Sequence, residues 1–190
     1  MKTHIAKTVL GAAAVTLIAS PCLAHTGGAT GGFSSGLTHP IAGMDHLLAM
    51  VAVGVWSATQ PLRNAWQGPA LFIVMLAIGA LLGVYGSALP FVEPGILASV
   101  VFLGLMVAVS RHLNAGLGLI AIGGFALFHG HAHGTEAVGA LGGYMAGFML
   151  TSAALHAAGF ASGLVLAKSR YGLIASGLAI AAGGLALAGA

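Results

Sequence analysis

Apolar runs separated by short polar or Gly/Pro-containing breaks fill the chain from about residue 37 to its end. Six of them approach the roughly 20 residues a helix needs to cross hydrocarbon: 37–58, 69–89, 95–110, 115–129, 137–166 and 171–188. The third and fourth are short for a span. The fifth is long enough to require tilt or a break, for which Gly159 and Gly163 are candidates. The pattern predicts an all-α integral membrane protein, a bundle of six transmembrane helices within 37–190.

A different pattern precedes the bundle. Lys2 and Lys7 flank a short apolar run over 9–19, and Pro21-Cys22-Leu23-Ala24 places small residues where a signal peptidase cuts. The apolar core is too short for a further span, so residues 1–24 are expected to be a signal peptide that is removed. Cleavage would make His25 the first residue, with an amine and an imidazole that could bind a metal together. Residues 25–36 read as a short flexible tail on the outer side.

Composition agrees with the hydropathy. Of 190 residues 58% are apolar and 5% charged, where a soluble domain is about a quarter charged. The net charge of +3 comes from only six Lys and Arg, too few for a nucleic-acid surface. The single cysteine, Cys22, falls in the leader, so the mature chain has no thiolate metal site or disulfide framework. The 31 glycines sit inside apolar runs, as in helices that pack closely in lipid. Gly79 and Gly83, and Gly139, Gly143 and Gly147, recur every four residues, which places the fifth span at the centre of the bundle. No Walker-type nucleotide loop and no soluble domain are present in the sequence.

Charge sets the sidedness. With an exported N-terminus, Arg63, Arg111, Lys168 and Arg170 all fall in inside loops and Glu93 and Glu136 outside, as the positive-inside rule requires. The expectation is a multi-pass membrane protein with both mature termini on the outer side.

Two polar clusters interrupt this apolar background. The first is His39-Pro40-Ile41-Ala42-Gly43-Met44-Asp45-His46, followed by Met50. A carboxylate at membrane depth costs several kcal/mol and needs a partner; a divalent cation satisfies Asp and His together. On a helix starting near Thr38 with Pro40 in its first turn, His39 and His46 lie two turns apart on nearly one face. Gly43 lies between them and Met50 one turn deeper. Asp45 points about 100° away, either reaching the ion from a neighbouring angle or orienting an imidazole. The second cluster is His129-Gly130-His131-Ala132-His133-Gly134-Thr135-Glu136. A continuous helix would align His129, His133 and Glu136 and turn His131 away, whereas breaks at Gly130 and Gly134 would allow other combinations. Imidazole with carboxylate suits Ni²⁺, Co²⁺ or Zn²⁺ better than Mg²⁺ or Ca²⁺. His156, deep in the fifth span, reads as a satisfied core histidine, with a relay or exit ligand as the alternative.

Both clusters resemble known motifs. The stretch His39 to Met50 with Val53-Gly54-Val55-Trp56, and Phe128 to Glu136, are similar to the two signatures of the HupE/UreJ family of bacterial nickel permeases, as are the leader and six spans. The resemblance implies uptake of nickel, with cobalt as the alternative, for hydrogenase or urease maturation, with the metal as cargo and no cofactor. By position, His39, Asp45 and His46 match the family's key metal residues. His129, His133 and Glu136 match the second motif, with the binding histidines among the three left open. His25, His131, Met50 and His156 are additional candidates.

Two functions compete for these residues. A permease would pass the ion inward without ATP, driven by a gradient or by the membrane potential. An intramembrane zinc hydrolase would use the same histidines, with Asp45 or Glu136 activating water. A permease needs a polar or thioether trail toward the cytoplasm, for which Met50 and His156 are candidates. The expectation is transport rather than catalysis.

Overall fold

The computed structural model describes residues 32–137, 140–169 and 171–189. The predicted leader, His25, Gly139 and Arg170 lie outside them. Among the described residues there are seven α-helices and no strand: α1 Phe33–Ala42, α2 Met44–Ser57, α3 Gln67–Val84, α4 Val92–Ala108, α5 Ala115–Glu136, α6 Leu141–Leu166 and α7 Gly172–Ala188, with a 3₁₀ turn at Leu62–Asn64. The helix from Leu62 to Val84, α5 and α6 are each long and apolar enough to cross a membrane, and the pair α1–α2 qualifies as one bent span; α4 and α7 are shorter apolar helices.

The expected straight first span is two helices meeting at 83°. The chain enters helix at Phe33, within the expected tail, so Pro40 falls inside α1 instead of its first turn. Its ring lacks the N–H that would reach the Gly36 carbonyl, which weakens the helix just before Gly43. Gly43 takes an extended conformation (φ −90°, ψ 113°) that any residue could adopt. What requires glycine is proximity: a Cβ there would lie 2.9 Å from both Asp45 Oδ1 and His46 Nδ1. The break creates a new helix N-terminus inside the bundle, where Asp45 sits in the first turn against the positive end of the helix dipole.

Helices that are apolar all round give no face a solvent preference, so small residues decide the packing. Three glycine seams hold the bundle. Gly79 and Gly83 of α3 meet the backbone of Leu127 and His131, while Gly130 and Gly134 of α5 meet that of Leu76 and Ala80. Gly104 of α4 interlocks with Gly177 of α7. Gly147 of α6 meets Phe33 and Gly36 on α1, and Gly159 and Gly163 meet Val51, Gly54 and Val55 on α2.

Two expectations change here. Gly159 and Gly163 seat α2 and do not break α6, which runs unbroken for 26 residues. Nor is α6 the central helix. It buries eight of those residues, whereas α2 buries ten of its 14 and packs against α1, α3, α4, α6 and α7. Outside this core, Val74, Ile78, Phe102, Leu105, Ile120, Leu150, Leu164 and Leu178 are exposed, a surface suited to hydrocarbon rather than water.

Contacts between loops fix the ends of the bundle. Arg111 donates from Nη2 to the Ala167 carbonyl (2.8 Å), joining the α4–α5 and α6–α7 connections. The Trp56 ring packs over Gly68 and Gly118, which brings the α2–α3 connection to the same end. Arg63, Arg111 and Lys168 therefore share one end, and the start of α4, the end of α5 and the start of α6 lie at the other.

Candidate metal centre

The bend at Gly43 aims His39 and His46 into one space. Seven residues of straight helix would separate them by about 10 Å along the axis; bent, their ring centroids are 6.2 Å apart. Helix α5 supplies the partners. It continues unbroken through Gly130 and Gly134 to Glu136, so His129 and His133 project from one face while the two glycines press on α3. The His133 ring lies 4.6 Å from His39 and 4.4 Å from His46, and His46 lies 4.6 Å from His129. Glu136 Oε2 is 3.8 Å from His39 Nε2 at the exposed rim. The two motifs, distant in sequence, form one file of four imidazoles with a carboxylate at its outer end.

Hydrogen bonds leave specific nitrogens bare. Asp45 Oδ1 accepts the Nδ1–H of His46 (2.6 Å) and its backbone N–H (2.8 Å). A neutral imidazole with its proton on Nδ1 has its lone pair on Nε2, and His46 Nε2 is buried with no hydrogen-bond partner. Of the two roles open to Asp45, this geometry is that of an orienting group. Ser99 of α4 does the corresponding work for His129. Its hydroxyl donates its single hydrogen to the Ile96 carbonyl (2.6 Å), so at 2.8 Å its oxygen accepts the Nε2–H of His129. The lone pair of His129 is then on Nδ1, also buried and unpartnered. His133 is fully buried with both nitrogens unpartnered. An unpaired buried polar atom costs about 1–3 kcal/mol, so three adjoining rings presenting bare nitrogens fit a bound cation. One donor set of His39, His133 and Glu136 has its ligand atoms within 4.8 Å of one another. Donors at ~2.1 Å from one tetrahedral ion lie ~3.4 Å apart, so this set would have to draw together to hold an ion.

The other candidates lie elsewhere. His131 turns toward α3 and donates from Nε2 to the Ser87 carbonyl (2.7 Å). Met50 is fully buried within the apolar core. His156 is not the satisfied core histidine expected: it is 2% exposed and neither ring nitrogen has a partner. Sequence reasoning also missed the lining. Tyr144 and Phe148 of α6 face His39 at 5.9 and 6.3 Å, Phe148 lies 4.0 Å from His133, and Phe72 of α3 lies 5.8 Å from His129. Aromatic and hydroxyl residues are common in apolar helices, and nothing in their spacing marks these. A cavity of about 330 Å³ opens between Gly83, Gly134, Thr135 and Leu141, and no histidine lines it.

Comparison with known proteins agrees with the motifs. The family model described as HupE / UreJ protein matches residues 13–187. The chain is 42% identical to Protein HupE of Rhizobium leguminosarum bv. viciae, over all of this chain and 97% of that protein. No solved structure matches it. The chain belongs to the HupE/UreJ family.

Proposed function

We propose that this protein is a permease that carries a divalent transition metal, nickel first and cobalt as the alternative, across the bacterial cytoplasmic membrane to supply hydrogenase or urease maturation. The observation that carries the reading is the convergence of the His39, His46, His129 and His133 rings, with buried nitrogens of His46, His129 and His133 left without a partner. Such a donor set suits a borderline divalent ion. In this reading the bent pair, α3, α4, α5, α6 and α7 make six crossings, and a leader is removed. The end carrying Arg63, Arg111 and Lys168 is cytoplasmic, and both mature termini are periplasmic. The 17 residues of α4 and of α7 reach the lower limit for a span.

The ion enters past Glu136 and His39 at the rim and is bound among His133, His46 and His129. Asp45 and Ser99 hold His46 and His129 with their lone pairs turned to it. The sequence carries no nucleotide-binding loop, and an inward potential contributes about 2.3 kcal/mol per charge per 100 mV, enough to drive accumulation of a divalent cation. Asp45 is committed to His46 on two hydrogen bonds, which leaves a hydrolase only Glu136 to activate a metal-bound water.

Radioactive nickel uptake tests this in cells lacking their own importer, expressing the wild type or His46→Ala at matched membrane levels. Uptake by the wild type that is lost in the variant supports the reading. A well-expressed wild type that imports no nickel overturns it.

A further inference from the structure

His156 lies on α6, inward of the histidine file. Phe148, Ser152 and His156 recur every four residues and are all buried, so they form one inward stripe of the helix. Its outer member, Phe148, touches His133 at 4.0 Å. Its inner member faces the Phe72 ring at 5.0 Å, and Phe72, fully buried, faces His129 at 5.8 Å. Phe72 therefore stands as a single ring between the outer file and one more imidazole. Ser152, between the two ends of the stripe, donates its hydroxyl to the Phe148 carbonyl (2.8 Å), which leaves its oxygen lone pairs available as acceptors.

Packing gives no reason for a histidine here. Both nitrogens of His156 are buried without a partner, and in hydrocarbon no water relieves that cost. A leucine or phenylalanine would fill the same space without it. A neutral imidazole keeps one nitrogen bare, so a cation arriving from His129 would find one free lone pair.

We propose that His156 is an inner transit ligand for the imported divalent cation, receiving it from the outer histidines when the Phe72 ring moves aside. The inference rests on the metal-import reading. A site built on one imidazole holds an ion more weakly than a cluster of several, and a transported ion must bind weakly enough to leave. The asymmetry favours release inward, toward the end carrying Arg63 and Arg111.

The test uses the full chain with Cys22→Ser, which removes the only native thiol. In His156→Cys on that background, nickel reaching this position forms a nickel–thiolate bond with a near-ultraviolet charge-transfer absorption. That band is the expected result, and the His156→Ser chain should lack it. In His156→Leu, uptake should fall to the background of cells without the protein, while equilibrium dialysis of the purified chain still finds nickel at the outer file. A folded His156→Cys chain that binds nickel without the band overturns the proposal, as does wild-type uptake by His156→Leu. A wild type that binds no nickel at all removes the import reading itself, and this inference with it.

Discussion

Asp45 grips His46 twice, taking its ring Nδ1–H at 2.6 Å and its backbone N–H at 2.8 Å. The carboxylate thereby satisfies a backbone N–H in the first turn of α2 and keeps the His46 proton on Nδ1, which leaves Nε2 bare. Loss of such an orienting partner weakens metal binding by about 10- to 100-fold. Asp45→Ala is expected to fall in that range in equilibrium dialysis with nickel. Binding at wild-type affinity would show that the pair does not set the His46 lone pair.

Ser99 is expected to behave as a positioning residue. With Ser99→Ala, the Nε2–H of His129 loses its acceptor and the ring is free to present either nitrogen, so nickel affinity should drop roughly tenfold. Ser99→Thr keeps the hydroxyl and should restore it. The threonine variant separates orientation from packing, because it adds volume at a fully buried site and would be the worse of the two if packing were the cause.

Gly43→Ala should weaken nickel binding by up to about the 10- to 100-fold of a lost orienting partner while leaving the protein in the membrane. The added Cβ would lie 2.9 Å from both Asp45 Oδ1 and His46 Nδ1, closer than real carbons approach, so the pair must shift from its present position. Gly124→Ala on α5, where a Cβ meets nothing within 4 Å, should bind nickel like the wild type. Equal binding by the two variants would contradict the account of the bend.

Gly130→Ala tests the seam that holds α5 against α3. Its Cβ would overlap the Leu76 carbonyl, backbone that cannot rotate away, so the two helices must part. Overpacking of this kind costs about 1–3 kcal/mol. A lowered thermal midpoint in detergent relative to Gly124→Ala is expected, together with weaker nickel binding because α5 carries His129 and His133. An unchanged midpoint would mean that the seam yields freely.

Much of this protein is legible along the chain. Hydropathy is a sum over neighbours, so the apolar runs and their approximate ends follow from local composition. The second motif could be read as far as a choice: if helical, His129, His133 and Glu136 share a face and His131 turns away, and α5 does run unbroken through both glycines. The first motif was harder to read. A proline and a glycine three residues apart can be absorbed by a helix or can break it. Here the helix breaks, and in the bent chain Asp45 accepts the His46 backbone N–H in the first turn of α2 while Thr151 of α6 donates to the Leu37 carbonyl (2.8 Å) and holds α1 in place.

The sequence by itself determined the membrane class, the order of apolar segments, the gathering of basic residues at alternate connections and the residue types available to bind a cation. Only the tertiary structure decided which of them meet. Helices apolar on every side carry no mark of the face that will turn inward; that choice is made where glycines let two backbones touch, and it depends on both helices at once. The meeting of His46 with His129 and His133, the service of Ser99, the partition by Phe72 and the unpartnered burial of His156 are all consequences of that packing.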